Sequence, residues 1–188
     1  MSFSPENYLQ TSQSYTQSAM TFTVMGIIDI ANSKLSQIDK WKDYEDPHKA
    51  SVDRLNKGRN HIIRELKDDN DDNGTAIIPT GNTLYKLTLK DSEDNYCYGY
   101  EYMDKLPFLR KTQKPAGDSG SSPLPIPLGS RIRIEKGTLI MNGVLMLTRV
   151  QCSYLGLSDH DKELYQKLNS DIAKKNIQYL TGELKSQK

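Results

Sequence analysis

Leu84-Tyr85-Lys86-Leu87-Thr88-Leu89, the polar break Asp91-Ser92-Glu93-Asp94-Asn95, and Tyr96-Cys97-Tyr98-Gly99-Tyr100-Glu101-Tyr102 form the stretch whose reading decides the architecture. Leu87 and Leu89 alternate with Lys86 and Thr88, the period of a half-buried strand. The second arm places Tyr96, Tyr98, Tyr100 and Tyr102 on one face, because successive side chains of a strand point to opposite sides. Two such arms joined by a short polar loop predict a β-hairpin.

Upstream, Met20-Thr21-Phe22-Thr23-Val24-Met25-Gly26-Ile27-Ile28-Asp29-Ile30 reads as a long strand, with Gly26 as the place where it can bend. Downstream, Leu106-Pro107-Phe108-Leu109 reads as a short plug, and residues 111–122 as a flexible loop. Ser130-Arg131-Ile132-Arg133-Ile134-Glu135 alternates again. Thr138-Leu139-Ile140-Met141 then reaches an Asn142-Gly143 turn, the strongest short hairpin signal there is. Val144 to Thr148 and Gln151 to Leu155 complete the β segments. Ser158 and Asp161 open a C-terminal helix, whose stripe is Leu164, Leu168, Ile172, Ile177, Leu180 and Leu184.

About five strands, a long excursion after the first and a helix at the end predict a mainly β chain. The matching architecture is the OB-fold, a five-stranded Greek-key barrel. The expected organisation is a flexible N-terminal segment over 1–19 and the barrel over 20–157, with a partly helical insertion at about 39–81. A C-terminal helix and tail over 158–188 follows.

Bulk composition narrows the function. Twenty-five basic residues against twenty-four acidic ones give a net charge of +1, so no global field draws the chain to nucleic acid or an anionic membrane. Any DNA contact must rest on a local patch. No apolar run is long enough to span a bilayer, and the polar N-terminus lacks a secretory pattern, so an intracellular protein is expected. Cys97 and Cys152 lack metal-ligand spacing and fall in apolar strands, where buried reduced thiols are the ordinary outcome. Eleven tyrosines against three phenylalanines favour half-exposed β surfaces, since tyrosine buries a ring and keeps its hydroxyl wet.

Nothing in the chain assembles an active site. Gly117-Asp118-Ser119-Gly120-Ser121 imitates a serine-protease nucleophile motif, but His48, His61 and His160 stand in no context that supplies its base. Asp69-Asn70-Asp71-Asp72-Asn73-Gly74 matches the first half of a calcium loop. Thr80 stands where the closing bidentate acid is required, so a solvated acidic loop is the better reading. No catalytic residue, metal ligand or cofactor is assigned. Lys49, Arg54, Lys57, Arg59 and Arg64 cluster in the excursion, where they can meet phosphates or form the solvated face of a helix. Arg131 and Arg133 share one face of a strand, either a backbone-tracking groove or the wet side of a sheet.

Several stretches carry a resemblance. Val24 to Ile38 resembles the opening strand and Ser-x-x-x-Gln-Ile turn of the RecQ-mediated genome instability protein 1 family. Asp46-Pro47-His48-Lys49-Ala50-Ser51-Val52-Asp53-Arg54-Leu55 is similar to the segment that follows in its budding-yeast members. Tyr85 to Asp91, then Glu101-Tyr102 with Leu106-Pro107-Phe108-Leu109, look like its second and third strands and their continuation. Pro127-Leu128-Gly129-Ser130 and Gly143-Val144-Leu145-Met146-Leu147 complete the ordered set, which covers about residues 22–175 and fits a short, fungal-type member. Leu157 departs from the pattern, which often has a second glycine there.

The resemblance implies a non-catalytic OB-fold subunit of the complex between a RecQ-family helicase and topoisomerase III, acting in the nucleus and also compatible with a cytoplasmic pool. Its work would be to stimulate decatenation and Holliday junction dissolution, with branched or single-stranded DNA bound weakly. In that family the excursion after the first strand reaches into the topoisomerase. Carried over, Trp41, Tyr44, Pro47, Val52 and Leu55 become the expected partner-binding residues, since apolar anchors dominate interface energy. The alternative is a stand-alone DNA binder, with Tyr98 and Tyr100 as stacking platforms and Lys49, Arg54, Lys57, Arg59, Arg131 and Arg133 on phosphates.

Overall fold

The computed structural model describes residues 2–46, 83–110 and 122–186. Eight strands pair in the order β1-β6-β7-β4-β3-β2-β5-β8. They are β1 (Ser14–Tyr15), β2 (Met20–Asp29), β3 (Tyr85–Lys90), β4 (Tyr96–Glu101), β5 (Arg131–Ile134), β6 (Leu139–Met141), β7 (Val144–Leu147) and β8 (Cys152–Gly156). The helices are α1 (Lys34–Glu45), α2 (Lys162–Asn169) and α3 (Ile172–Lys185).

The alternation seen in the sequence sorts each strand between inside and outside. Phe22, Val24, Leu87, Leu89, Ile132, Ile134, Ile140, Leu145 and Leu147 are almost wholly buried. Tyr96, Tyr98 and Arg131 stay on the outside. β2 is shared: Met20 to Thr23 pair with β5 and Thr23 to Asp29 pair with β3. The register shifts between Val24 and Gly26 at the changeover, so Met25 is the extra residue of a bulge that bends the strand, the device that lets a sheet close. Residues 131–141 and 144–156 form two arms of one hairpin, paired as β6–β7 and β5–β8 and joined midway by Glu135 N–H to Gln151 O at 2.9 Å. One arm pairs with β2 through β5 and the other runs parallel to β4 through β7. The ring of pairings therefore closes through five arms, as in an OB-fold. The hairpin turn uses Asn142 at φ 48° and Gly143 at φ 79°, the two positive dihedrals of a type I′ turn.

The N-terminal segment departs from the expected flexible tail. Phe3 is buried, stacked on Tyr8 and edge-on to Phe22. β1 extends the β6 edge, and Thr16 exchanges backbone bonds with Thr138 and Gly137 at 2.9 Å. The Phe3 N–H donates to Asp91 Oδ2 at 2.8 Å. Burial pushes the Asp91 carboxyl up, but donors from Phe3, Asn95 and Glu93 outweigh that and hold it below the usual carboxylate range. Backbone pairing to a sheet edge needs no apolar side chains, so polar composition concealed it.

The single C-terminal helix expected from the stripe is two helices. Asp171 takes a left-handed φ of 48° between them. Asn169 fixes the corner: its Nδ2 donates to Leu128 O at 2.8 Å, and its Oδ1 accepts from Leu128 N–H at 3.2 Å. α3 then lies antiparallel to α1, with Lys34 at the start of α1 bonded to Glu183 near the end of α3.

Candidate functional site

Two regions of the barrel are the candidates: the mouth where the long connection leaves and returns, and the outer face of β3 and β4. At the mouth, the Ser33 Oγ caps α1 by accepting from Ser36 N–H, and the helix stops at Asp46, whose proline neighbour disfavours helical geometry. Ile38 and Trp41 are buried on its inner side, and Trp41 is edge-on to Tyr44 at 6.0 Å. Trp41, Gln37 and Lys40 border a small cavity of about 70 Å³ with Ile27, Tyr85 and Leu124, which places α1 over the mouth.

This corrects one expectation. Trp41, 5% exposed, belongs to the protein's own core and Tyr44 packs against it. Neither is presented as a free anchor; the helix that carries them, α1, begins at Lys34 and opens the connection between β2 and β3. Pro47, Val52, Leu55, Lys49, Arg54, Lys57, Arg59 and Arg64 lie outside the described residues, as do Ile62 and Ile63, the calcium-loop imitation and the serine motif.

The chain returns at Thr83 into a knot of hydrogen bonds that the sequence did not announce. Glu101, 5% exposed, accepts from Tyr85 N–H at 2.8 Å, from Leu106 N–H at 2.9 Å and from Arg110 Nη2 at 2.7 Å. Arg110 Nη2 also reaches Thr83 O at 3.4 Å, and Lys105 Nζ donates to that same carbonyl. The Arg110 guanidinium sits 5.2 Å from the Tyr85 ring centroid. One buried carboxylate thereby ties the start of β3, the end of β4 and the Leu106–Leu109 plug together. Thr83, which follows residues 47–82 in sequence, and Arg110, which precedes residues 111–121, are both bonded within this knot. Within the stretches that carried the resemblance, Glu101 was the available signal: a carboxylate ending an alternating strand on the buried phase.

On the outer face, cross-strand pairs read Tyr100 with Lys86, Tyr98 with Thr88, and Tyr96 with Lys90. Tyr96 and Tyr98 are about half exposed, Tyr100 less so, and Lys86 Nζ lies 3.8 Å over the Tyr98 ring. The row through Lys90 continues to Thr23 and Arg131, so the two arginine positions border this same surface. Their charge is largely answered: Lys90 meets Asp94 at 2.7 Å, Arg133 meets Glu135 at 2.8 Å, and Arg131 lies 4.0 Å from Asp161. The Asp94 hydrogen bond raises the Lys90 pKa above its usual value. A phosphate would have to displace these carboxylates, so the face offers aromatic surface with little free positive charge.

Among the described residues no cluster of His, Cys, Asp and Glu could hold a metal ion, and no helix is long and apolar enough to cross a membrane. Cys97 and Cys152 are free and buried, and burial pushes both thiols up to about 12.

A comparison with curated proteins finds no match. The family model described as RMI1, N-terminal OB-fold domain, matches residues 4–116, more than half of the chain and all of β1 to β4. That span includes β1, the bulged strand β2, the β3–β4 hairpin and the Glu101 knot. The chain is therefore a member of the RMI1 family and carries its N-terminal OB-fold domain.

Proposed function

We infer that the protein works as a non-catalytic subunit of a complex of topoisomerase III and a RecQ-family helicase in the nucleus, stimulating decatenation and the dissolution of double Holliday junctions. The observation that carries this reading is the family match together with the way the barrel holds its longest connection. α1 and the Glu101–Arg110 knot fix the two points between which residues 47–82 run. A connection of that length in a compact domain is ordinarily functional. Its task would be to bind one state of the topoisomerase gate more tightly than another. Differential affinity of that kind shifts a conformational equilibrium without any chemistry in this chain. Breaking and rejoining DNA would belong to the topoisomerase.

The test is co-purification of the full chain with topoisomerase III, set beside gel shifts of branched and single-stranded DNA across a salt series. Tight topoisomerase binding with weak, salt-sensitive DNA binding is the expected pattern. Tight DNA binding without topoisomerase binding would transfer the function to the Tyr96–Tyr98–Tyr100 face.

A further inference from the structure

Between the outer face of β2–β3–β4 and helices α2 and α3 runs a cleft of about 480 Å³, within the range of about 300–1,000 Å³ typical of ligand pockets. Its wall is made by Met25 and Ile28 of the bulged strand, by Leu124 and Leu128, and by Leu168 and Ile172 at the helix corner. Tyr98 from the sheet and Tyr179 from α3 border it; burial first, then Glu183 and Tyr98, raise the Tyr179 pKa, so its hydroxyl stays a donor. Among the described residues three lysines, Lys86, Lys167 and Lys175, complete the lining with no aspartate or glutamate; the Lys175 ammonium is held by Lys167 O at 2.7 Å and Ser170 Oγ at 3.3 Å, which leaves Lys86 and Lys167 for the rim. The nearest carboxylate on α3, Glu183, is taken by Lys34 at 3.3 Å.

We propose that this cleft is a docking site for a linear acidic peptide segment of a partner protein, with bulky apolar side chains seated against Leu124, Leu168 and Ile172 and flanking carboxylates on the lysine rim. An amphipathic segment reaches such a groove with anchors spaced three or four residues apart on one face, and its carboxylates set register and encounter rate. Nucleic acid fits the cleft less well. The interior wall is aliphatic and curved, where a base requires a flat aromatic partner, and the Tyr98 ring already carries Lys86 on one side. Further along the same face Lys90, Arg131 and Arg133 already meet Asp94, Asp161 and Glu135, so these three described positions offer a phosphate chain little free charge. The proposal uses none of residues 47–82 and stands whether or not the topoisomerase reading holds.

The test uses the full chain as bait for a displayed library of random linear peptides, followed by anisotropy titration of the enriched peptides and of a labelled oligothymidine. Enriched peptides should combine Leu, Ile or Phe anchors with Asp and Glu. Lys86→Glu with Lys167→Glu should weaken them about tenfold or more, as like charges replace attraction at the rim. Lys167 is exposed and Lys86 is half-buried over the Tyr98 ring, so an unchanged melting temperature is required to separate lost binding from lost folding. Replacing residues 47–82 by a short linker should leave peptide binding intact. No enrichment, enriched peptides without acidic residues, or equal binding by the charge-reversed variant would each overturn the proposal. Tight oligothymidine binding abolished by the same two substitutions would also overturn it and make the cleft a nucleic-acid site.

Discussion

Glu101→Ala removes the acceptor on which the barrel mouth depends. The carboxylate is 5% exposed and takes two backbone N–H groups, from Tyr85 and Leu106, besides the Arg110 guanidinium. Leu106 itself is fully buried, so water does not readily replace the lost acceptor there. An orphaned buried donor costs about 1–3 kcal/mol, which applies in full to Leu106 N–H; Tyr85 is half-buried, so its N–H adds about 1 kcal/mol. Arg110 is a quarter exposed on its side chain and can rehydrate, so its share is at most about 1 kcal/mol. A loss near 3 kcal/mol is a large part of the roughly 5–15 kcal/mol that holds a typical domain. Urea unfolding followed by far-ultraviolet circular dichroism measures it, as a lower midpoint at unchanged slope. Glu101→Gln, which keeps one acceptor oxygen, should lose less. A loss below about 1 kcal/mol for the alanine variant would refute the reasoning, because orphaned buried donors cannot be that cheap.

Three further outcomes follow from the geometry. A Cβ on Gly99 would stand 2.8 Å from Leu147 Cδ1 and 3.2 Å from Leu89 Cδ1, both on fully buried side chains, so Gly99→Ala should cost about 1–3 kcal/mol in the same unfolding assay. Asp91 is held below its ordinary value of 3.8, so its stabilising contribution is present above that value and disappears as the pH falls through the lower folded-state pKa. Hydrogen exchange at the Phe3 amide should therefore accelerate on acidification, and Asp91→Asn should flatten that dependence. Cys97 and Cys152 should resist alkylation in the native state at mildly alkaline pH and react fully in denaturant, since burial keeps both as neutral thiols.

What could be read from the sequence was what repeats with the period of a strand. Leu87 and Leu89 inside, Lys86 and Thr88 outside, the Asn142-Gly143 turn and the bend near Gly26 all depend on neighbours within a few residues, where local steric rules decide. Trp41 was misjudged for the opposite reason. An aromatic on a segment joining two strands looks like an anchor for a partner, and only the tertiary path of α3, turned at Asp171, shows that α1 has its partner within the chain. That turn left no mark on the stripe, because Leu168 and Ile172 keep helical spacing across it. Asn169 breaks the helix by bonding to Leu128, far away in sequence. No role for Glu101 is legible in the sequence, since the donors it collects come from Tyr85, Leu106 and Arg110, on separate parts of the chain. Arg131 and Arg133 share one exposed face, and Glu135, two residues beyond Arg133 in the same alternation, was legible as its partner; Asp161, which lies near Arg131, belongs to a helix start whose position the strand pattern does not encode.

The account stands on a rigid barrel whose longest connection acts on a partner. The most direct measurement is the rate at which topoisomerase III decatenates DNA in the presence of the full chain, compared with a variant in which a short glycine-serine linker replaces residues 47–82. The variant should keep the urea midpoint of the parent barrel and lose the stimulation. Undiminished stimulation by a variant with that unchanged midpoint would contradict the account.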